Sequence, residues 1–285
     1  MIEFEFNTWR VNLKKIIFAA LALTLAAQSF AQSLPMGVRV AESLDSTERS
    51  LEEQARDRYR HPVATLDFFG LEDGMSVMEI WPSGGWYAKI LAPVMNGNGQ
   101  YIQAIWDPEV EGQPGYRYSL PEALNATFAN NPGYYGEVET VHYSPPESAS
   151  LGEADSVDMI LTFRSIHGLV NSGDAQAVFN EFARVLKPGG TLGVVQHRAD
   201  AGTDPEVTAK KGYVSEEAVI AMAEKAGLSL SSSSEINANP KDTKDYADGV
   251  WTLPPSYRLG DTDREKYSAI GESDRMTLRF EKPAD

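Results

Sequence analysis

The sequence predicts an α/β fold built on a mostly parallel sheet. Three observations carry this: short apolar runs recur along the chain, amphipathic helical stretches separate them, and Gly- or Pro-containing turns mark the junctions. Strands alternating with helices imply a parallel sheet covered on both faces. In such sheets ligands bind beyond the carboxyl ends of the strands, where the strand order reverses.

Residues 45–60 are highly charged with few apolar positions and read as a solvent-facing helix. Pro62 suits the first turn of the next helix, Val63, Leu66 and Phe69 share one face, and Gly70 ends it. Residues 77–80 form a first strand, followed by a turn over 81–85 and a helical stripe through Tyr87, Ile90, Leu91 and Val94. A second strand covers 101–106, a helix lies near 121–129, and strands follow at 138–143 and 157–163. Val178, Phe182, Val185 and Leu186 give an amphipathic helix over 177–186, which leads into a strand at 191–196. Ser215 caps a helix ending at Gly227, and residues 228–232 and 276–280 are the last strands. Residues 237–274 fit no regular element and read as an irregular insertion or lid.

With 285 residues and a hydrophobic fraction of 42%, the chain can bury a full-sized core. Its formal net charge of −16 disfavours contact with phosphate backbones, so a nucleic-acid partner is not expected. Arg10, Lys14 and Lys15 precede an apolar run over 16–27, and Ser29-Phe30-Ala31 supplies small residues for a signal peptidase. That run is shorter than the roughly 20 apolar residues of a spanning helix. We therefore expect a cleaved signal peptide over 1–31, export to the periplasm or medium, and no stable membrane anchor afterwards. The expected division is then a helical segment over 32–70 and a catalytic or binding domain over 71–285. With no cysteine, disulfides and thiolate chemistry are excluded.

The sharpest local motif is Val77-Met78-Glu79-Ile80-Trp81-Pro82-Ser83-Gly84-Gly85-Trp86-Tyr87. It puts an acid at a strand end, then a Gly-containing turn whose free N–H groups can receive an anion. A second motif, Val185-Leu186-Lys187-Pro188-Gly189-Gly190, joins an apolar helix to a buried strand. Here Pro188 stops the helix and the glycines permit the reversal, which is architecture rather than chemistry. In this order and spacing the two segments resemble the class I S-adenosylmethionine-dependent methyltransferases. The Trp81 turn and the ending Ser273-Asp274-Arg275-Met276 resemble a group of exported, predicted bacterial methyltransferases.

The resemblance implies a Rossmann-like, seven-stranded, mostly parallel sheet with an antiparallel last strand and helices on both faces. It also implies S-adenosylmethionine over the carboxyl ends of the first two strands. On this reading the cofactor-binding set is Glu79, Trp81, Ser83, Gly84, Gly85, Asp107 and Phe163. Two departures stand out. Trp81 and Ser83 occupy the first and second glycine positions of the turn, and the ribose-binding acid would fall near Ile105, leaving Asp107 as its substitute.

Thr162 to Gly168 would line the pocket between cofactor and substrate. His167 is the expected general base or substrate-orienting group, because imidazole titrates near neutrality. His197 is a second catalytic candidate; His61 and His142 read as structural. Arg164 could hold a substrate carboxylate through paired hydrogen bonds, and Tyr87 completes the substrate-binding set. The histidine and carboxylate spacing supports no metal site, and a hydrolase elbow of the form Gly-x-Ser-x-Gly is missing. Two functions follow: a methyltransferase acting on a small-molecule nucleophile, or an exported ligand-binding protein that kept the fold and altered or lost the cofactor site.

Overall fold

The computed structural model describes residues 34–284. The expected signal peptide and its cleavage site lie outside the described residues. From Met36 onward the chain forms one compact unit, so the segment before residue 71 packs with the rest. No helix among the described residues is long and apolar enough to cross a membrane.

Seven strands form one sheet: β1 (Ser76–Ile80), β2 (Gln100–Ile105), β3 (Val138–His142), β4 (Val157–Phe163), β5 (Leu186–His197), β6 (Ser229–Ser234) and β7 (Arg275–Glu281). Their order is β3-β2-β1-β4-β5-β7-β6. Strand β7 runs antiparallel to both β5 and β6, while β1 to β5 pair in parallel. β4 shows why these residues choose a central strand. Met159, Leu161 and Phe163 enter one apolar cluster with Leu66, Phe69 and Ile90, whereas Val157 and Ile160 enter the other with Phe179, Phe182 and Leu192. Period-two side chains that are apolar on both faces need helices on both sides.

Local chemistry sets the helix ends. Pro62 opens the helix Pro62–Phe69 and Gly70 closes it in a left-handed conformation. Ser215 caps Glu216–Lys225 by accepting from the Ala218 N–H. At the Lys-Pro-Gly-Gly junction, Gly189 takes a φ of 77°, and a Cβ on Gly190 would lie 2.8 Å from the Lys187 carbonyl oxygen. Only glycines pass there. Lys187 then pairs with Asp158 on β4 at 2.8 Å, and Asp158 accepts from the Ser76 N–H on β1 at 2.8 Å.

Two expectations are corrected. The charged stretch after residue 44 is not one solvent-facing helix; it folds as Leu51–Gln54 and Asp57–Arg60, with Arg49 and Arg60 buried. Charge density misled because these arginines have internal partners: Arg49 reaches the Asp57 carboxylate at 2.5 Å and 3.0 Å. Nor is 237–274 shapeless. It contains a 3-10 turn, Gly249–Thr252, and a helix, Arg264–Ile270, and buries Tyr246, Leu253 and Tyr267 in a small apolar cluster.

Glu272 joins the amino-terminal segment to the start of β7. It accepts from Arg56 Nε at 2.6 Å, lies 3.4 Å from Arg60 Nε, and makes a short contact with Arg275. Burial alone would raise its pKa, but the charges of Arg275, Arg60 and Arg56 outweigh that and hold it well below the usual carboxylate range. Breaking a buried pair by removing one partner costs about 3–5 kcal/mol. Glu272→Gln is therefore expected to lose about that much stability by urea denaturation at pH 7.5. Because the folded pKa is depressed, the wild-type advantage is full above the unfolded value of 4.5 and shrinks as pH falls below it. An equal deficit at pH 3.5 and pH 7.5 would contradict this account.

Candidate functional site

The carboxyl ends of β1, β2, β4 and β5 share one edge of the sheet, with the strand order reversing between β1 and β4. β7 runs the other way, so its first residue, Arg275, sits opposite His197 at that same edge. A cavity of about 340 Å³ opens there. From the β1 turn come Trp81 and Ser83, from beyond β2 and β3 come Trp106, Tyr116, Arg117 and Ser144. From beyond β4 and β5 come Phe163, Arg164, Ser165, His167 and His197, with Trp251 contributed by the 237–274 segment.

The β1 turn keeps a glycine-type backbone without two of the glycines. Trp81, Ser83 and Gly85 have φ values of 47°, 56° and 79°. Placing a non-glycine residue there costs about 1–2 kcal/mol each. Contacts hold Trp81 in place: its indole N–H donates to the Tyr143 carbonyl at 2.9 Å, and its ring stacks on Trp106 at 5.8 Å. The indole thus lies along one wall, with the cavity beside it. Gly85 suits the position because its φ of 79° is left-handed, and a Cβ there would lie 2.4 Å from a Leu124 methyl and push it out of place.

The sequence-derived cofactor set divides. Trp81, Ser83 and Phe163 line the cavity; Glu79, Gly84, Gly85 and Asp107 do not. Glu79 is buried on the face of the sheet shared with Tyr101, whose hydroxyl donates to it at 2.7 Å. Burial pushes its pKa up to about 7 against the opposing pull of that hydroxyl and of Arg164 and Arg60. Asp107 instead caps its own turn, accepting from the Glu109 N–H at 3.0 Å. Tyr87 also lies off the cavity, stacked on Phe163 at 3.6 Å and donating to the Arg60 carbonyl.

Both candidate histidines line the cavity, their rings 5.9 Å apart. Burial lowers the His167 pKa to about 4, partly countered by Gln196 and reinforced by Arg164. The amide Nε2 of Gln196 approaches His167 Nδ1 at 3.5 Å while donating to the Gly212 carbonyl at 2.9 Å. With the amide so oriented, Nδ1 accepts and the proton sits on Nε2. His167 is therefore a neutral donor and a poor base near neutrality, which favours substrate orientation over proton abstraction. His197 is buried, its Nδ1 lies 2.5 Å from Ser273 Oγ, and burial with the charge of Arg275 depresses its pKa strongly.

Sequence reasoning missed Arg117, Ser144 and the contribution of Trp251 to this wall. Trp251 carried a signal, a large aromatic in a Pro- and Asp-rich segment, but no local pattern says which edge it covers. Arg198, next to His197, is a framework residue: it binds the Asp274 carboxylate through two hydrogen bonds, at 3.0 Å and 2.9 Å. Among the described residues no group of three or more His, Asp or Glu side chains is placed to hold a metal ion.

No family model and no curated protein matches the sequence. Among solved structures, the chain is similar to a SAM-dependent methyltransferase from Aquifex aeolicus, with 16% identity and a TM-score of 0.52 over 86% of this chain and 98% of that one. It is also similar to the cyclase SpnF, with 16% identity and a TM-score of 0.55 over 88% of this chain and 93% of the other. Sheet order, antiparallel β7 and these likenesses define the fold as that of the class I S-adenosylmethionine-dependent methyltransferases.

Glu79→Gln tests the buried acid. Its folded pKa is raised from 4.5 to about 7, so the wild type loses stability as pH rises through that window. A neutral amide escapes the loss, worth up to about 3 kcal/mol. The difference in melting temperature, variant minus wild type, should become more positive from pH 5 to pH 8. A pH-independent difference would refute the assignment.

Proposed function

We propose that this protein is an S-adenosylmethionine-dependent methyltransferase acting on a small-molecule nucleophile. The observation that carries the reading is the position of the cavity, at the carboxyl edge and strand-order reversal of this fold. Its lining is rich in aromatic rings on which a nucleoside base can stack. The faces of Trp81 and Trp106 can take a flat base, and the Ser83 hydroxyl, which donates to the Trp81 carbonyl, keeps its lone pairs to accept from a ribose hydroxyl. When bound, the cofactor supplies an electrophilic methyl group on a sulfonium.

The chain's own residues then position and shield. His167 presents a neutral N–H to the acceptor, Arg164 presents a guanidinium, and Trp251 covers the site from the 237–274 segment. Such work by orientation and water exclusion suits methyl transfer, in which little proton chemistry falls to the protein.

A second reading, a ligand-binding protein that kept the fold, is favoured by one observation. Glu79 and Asp107, the acids expected to meet the cofactor, are both engaged elsewhere. Calorimetric titration with S-adenosylmethionine and its demethylated product separates the two. Binding of both is expected, weakened by tenfold or more in Trp81→Gly, since base–aromatic stacking is worth about 1–3 kcal/mol. A φ of 47° at that position suits glycine, so the backbone turn should survive. No heat with either ligand in folded protein selects the binding-protein reading.

We propose as well that the chain is exported, on the strength of its amino-terminal basic and apolar pattern. Cell fractionation should recover a product shortened by about 31 residues outside the inner membrane. An intact chain in the cytosol would end that proposal.

A further inference from the structure

The wall of the cavity at β4 carries positive charge that its surroundings do not neutralise. Arg164 is half-buried, and among the described residues its guanidinium has no hydrogen-bond or ion-pair partner. Its backbone sits at a φ of 63°, a conformation an arginine adopts only when its surroundings hold it there. The same side chain also borders a smaller void of about 10 Å³, shared with Arg60, Arg275, Tyr87 and Asn237.

Arg60 is 2% exposed; its guanidinium lies over the Trp86 ring at 4.5 Å, and its Nη1 and Nη2 are both buried without a hydrogen-bond partner. Arg56 and Arg275 complete the group. Facing these four guanidiniums are Glu272 and Glu79, and the second is held near a pKa of 7. Burial, reinforced by the crowding of Arg275 and Arg56, brings the Arg164 pKa down to about 10. Buried charges in proteins are normally paired, so this excess calls for an anion. It arises inside a chain whose net charge is −16, which makes the local reversal a property of the site.

The larger cavity is where that anion can enter. Its lining carries two arginines, Arg117 and Arg164, against one carboxylate, Asp174, and both histidines are neutral. The polar half beyond β4 and β5 is bordered by the aromatic rings of Phe163 and Trp251. We propose that this cavity binds an aromatic carboxylate, its acid group paired with Arg164 and its ring against Trp251. The proposal rests on reading the cavity as the small-molecule site, but it does not require methyl transfer. A guanidinium matches a carboxylate through two parallel hydrogen bonds, which an amide cannot reproduce with equal strength.

The test is calorimetric titration of the folded chain at pH 7.5 with benzoate and cinnamate, each against its amide. The acids should bind at least tenfold more tightly than benzamide and cinnamamide. Arg164→Gln should bring the acid-to-amide ratio to within about twofold of unity, and Arg164→Lys should retain part of the preference. Equal binding of acid and amide, binding of neither, or a preference that survives in Arg164→Gln would overturn the proposal. If Arg164→Gln fails to fold, the wild-type ratio and Arg164→Lys still decide it. Titration of S-adenosylhomocysteine into the same preparation keeps the two readings apart. Its binding without acid preference retires this proposal alone, and acid preference without its binding retires methyl transfer alone.

Discussion

The buried contact between Glu272 and three arginines is the constraint on which the working edge of this molecule depends. Arg56 and Arg60 belong to the segment ahead of the sheet, and Arg275 opens β7, far apart in sequence. One carboxylate draws them together. Desolvating that carboxylate is unfavourable, and only several guanidiniums acting at once make it favourable on balance. The outcome holds Arg60 beneath Tyr87 and Arg275 opposite His197, around the smaller void that shares Phe163 and Arg164 with the main cavity.

Strain concentrates at the same edge. Trp81, Ser83 and Arg164 all adopt left-handed backbone conformations, and all three border the cavity. Glycines would be cheaper for stability at each. Side chains there shape the cavity: the indole of Trp81 walls it against Trp106, and Arg164 borders both it and the smaller void. The turn keeps a left-handed backbone path with side chains in place, and the cavity beside it stays open.

Most of the architecture was legible from periodicity. The β4 run of Val157 to Phe163 has apolar residues on both faces, which only a central parallel strand satisfies. The Lys-Pro-Gly-Gly junction announced the entry to β5 because its turn needs residues without a Cβ. The charged stretch ending at Arg60 was misread because charge predicts exposure unless a partner exists, and Glu272 lies more than two hundred residues away. His167 and Arg164 were found by position after β4, yet the neutrality of the imidazole was invisible, since burial, reinforced by the charge of Arg164, creates it.

From the amino acids alone followed the order of strands and helices, the turn after β1, the antiparallel final strand implied by resemblance, and the edge where ligands meet the sheet. Those features depend on local periodicity, turn chemistry and short motifs. Folding in three dimensions decided the rest: that Glu79 turns toward Tyr101, that Trp81 lies along a wall, and that Trp251 reaches the cavity. It also decided that four arginines converge on too few carboxylates. These outcomes arise from contacts between distant segments, and both desolvation and charge pairing depend on distances that no stretch of sequence encodes by itself.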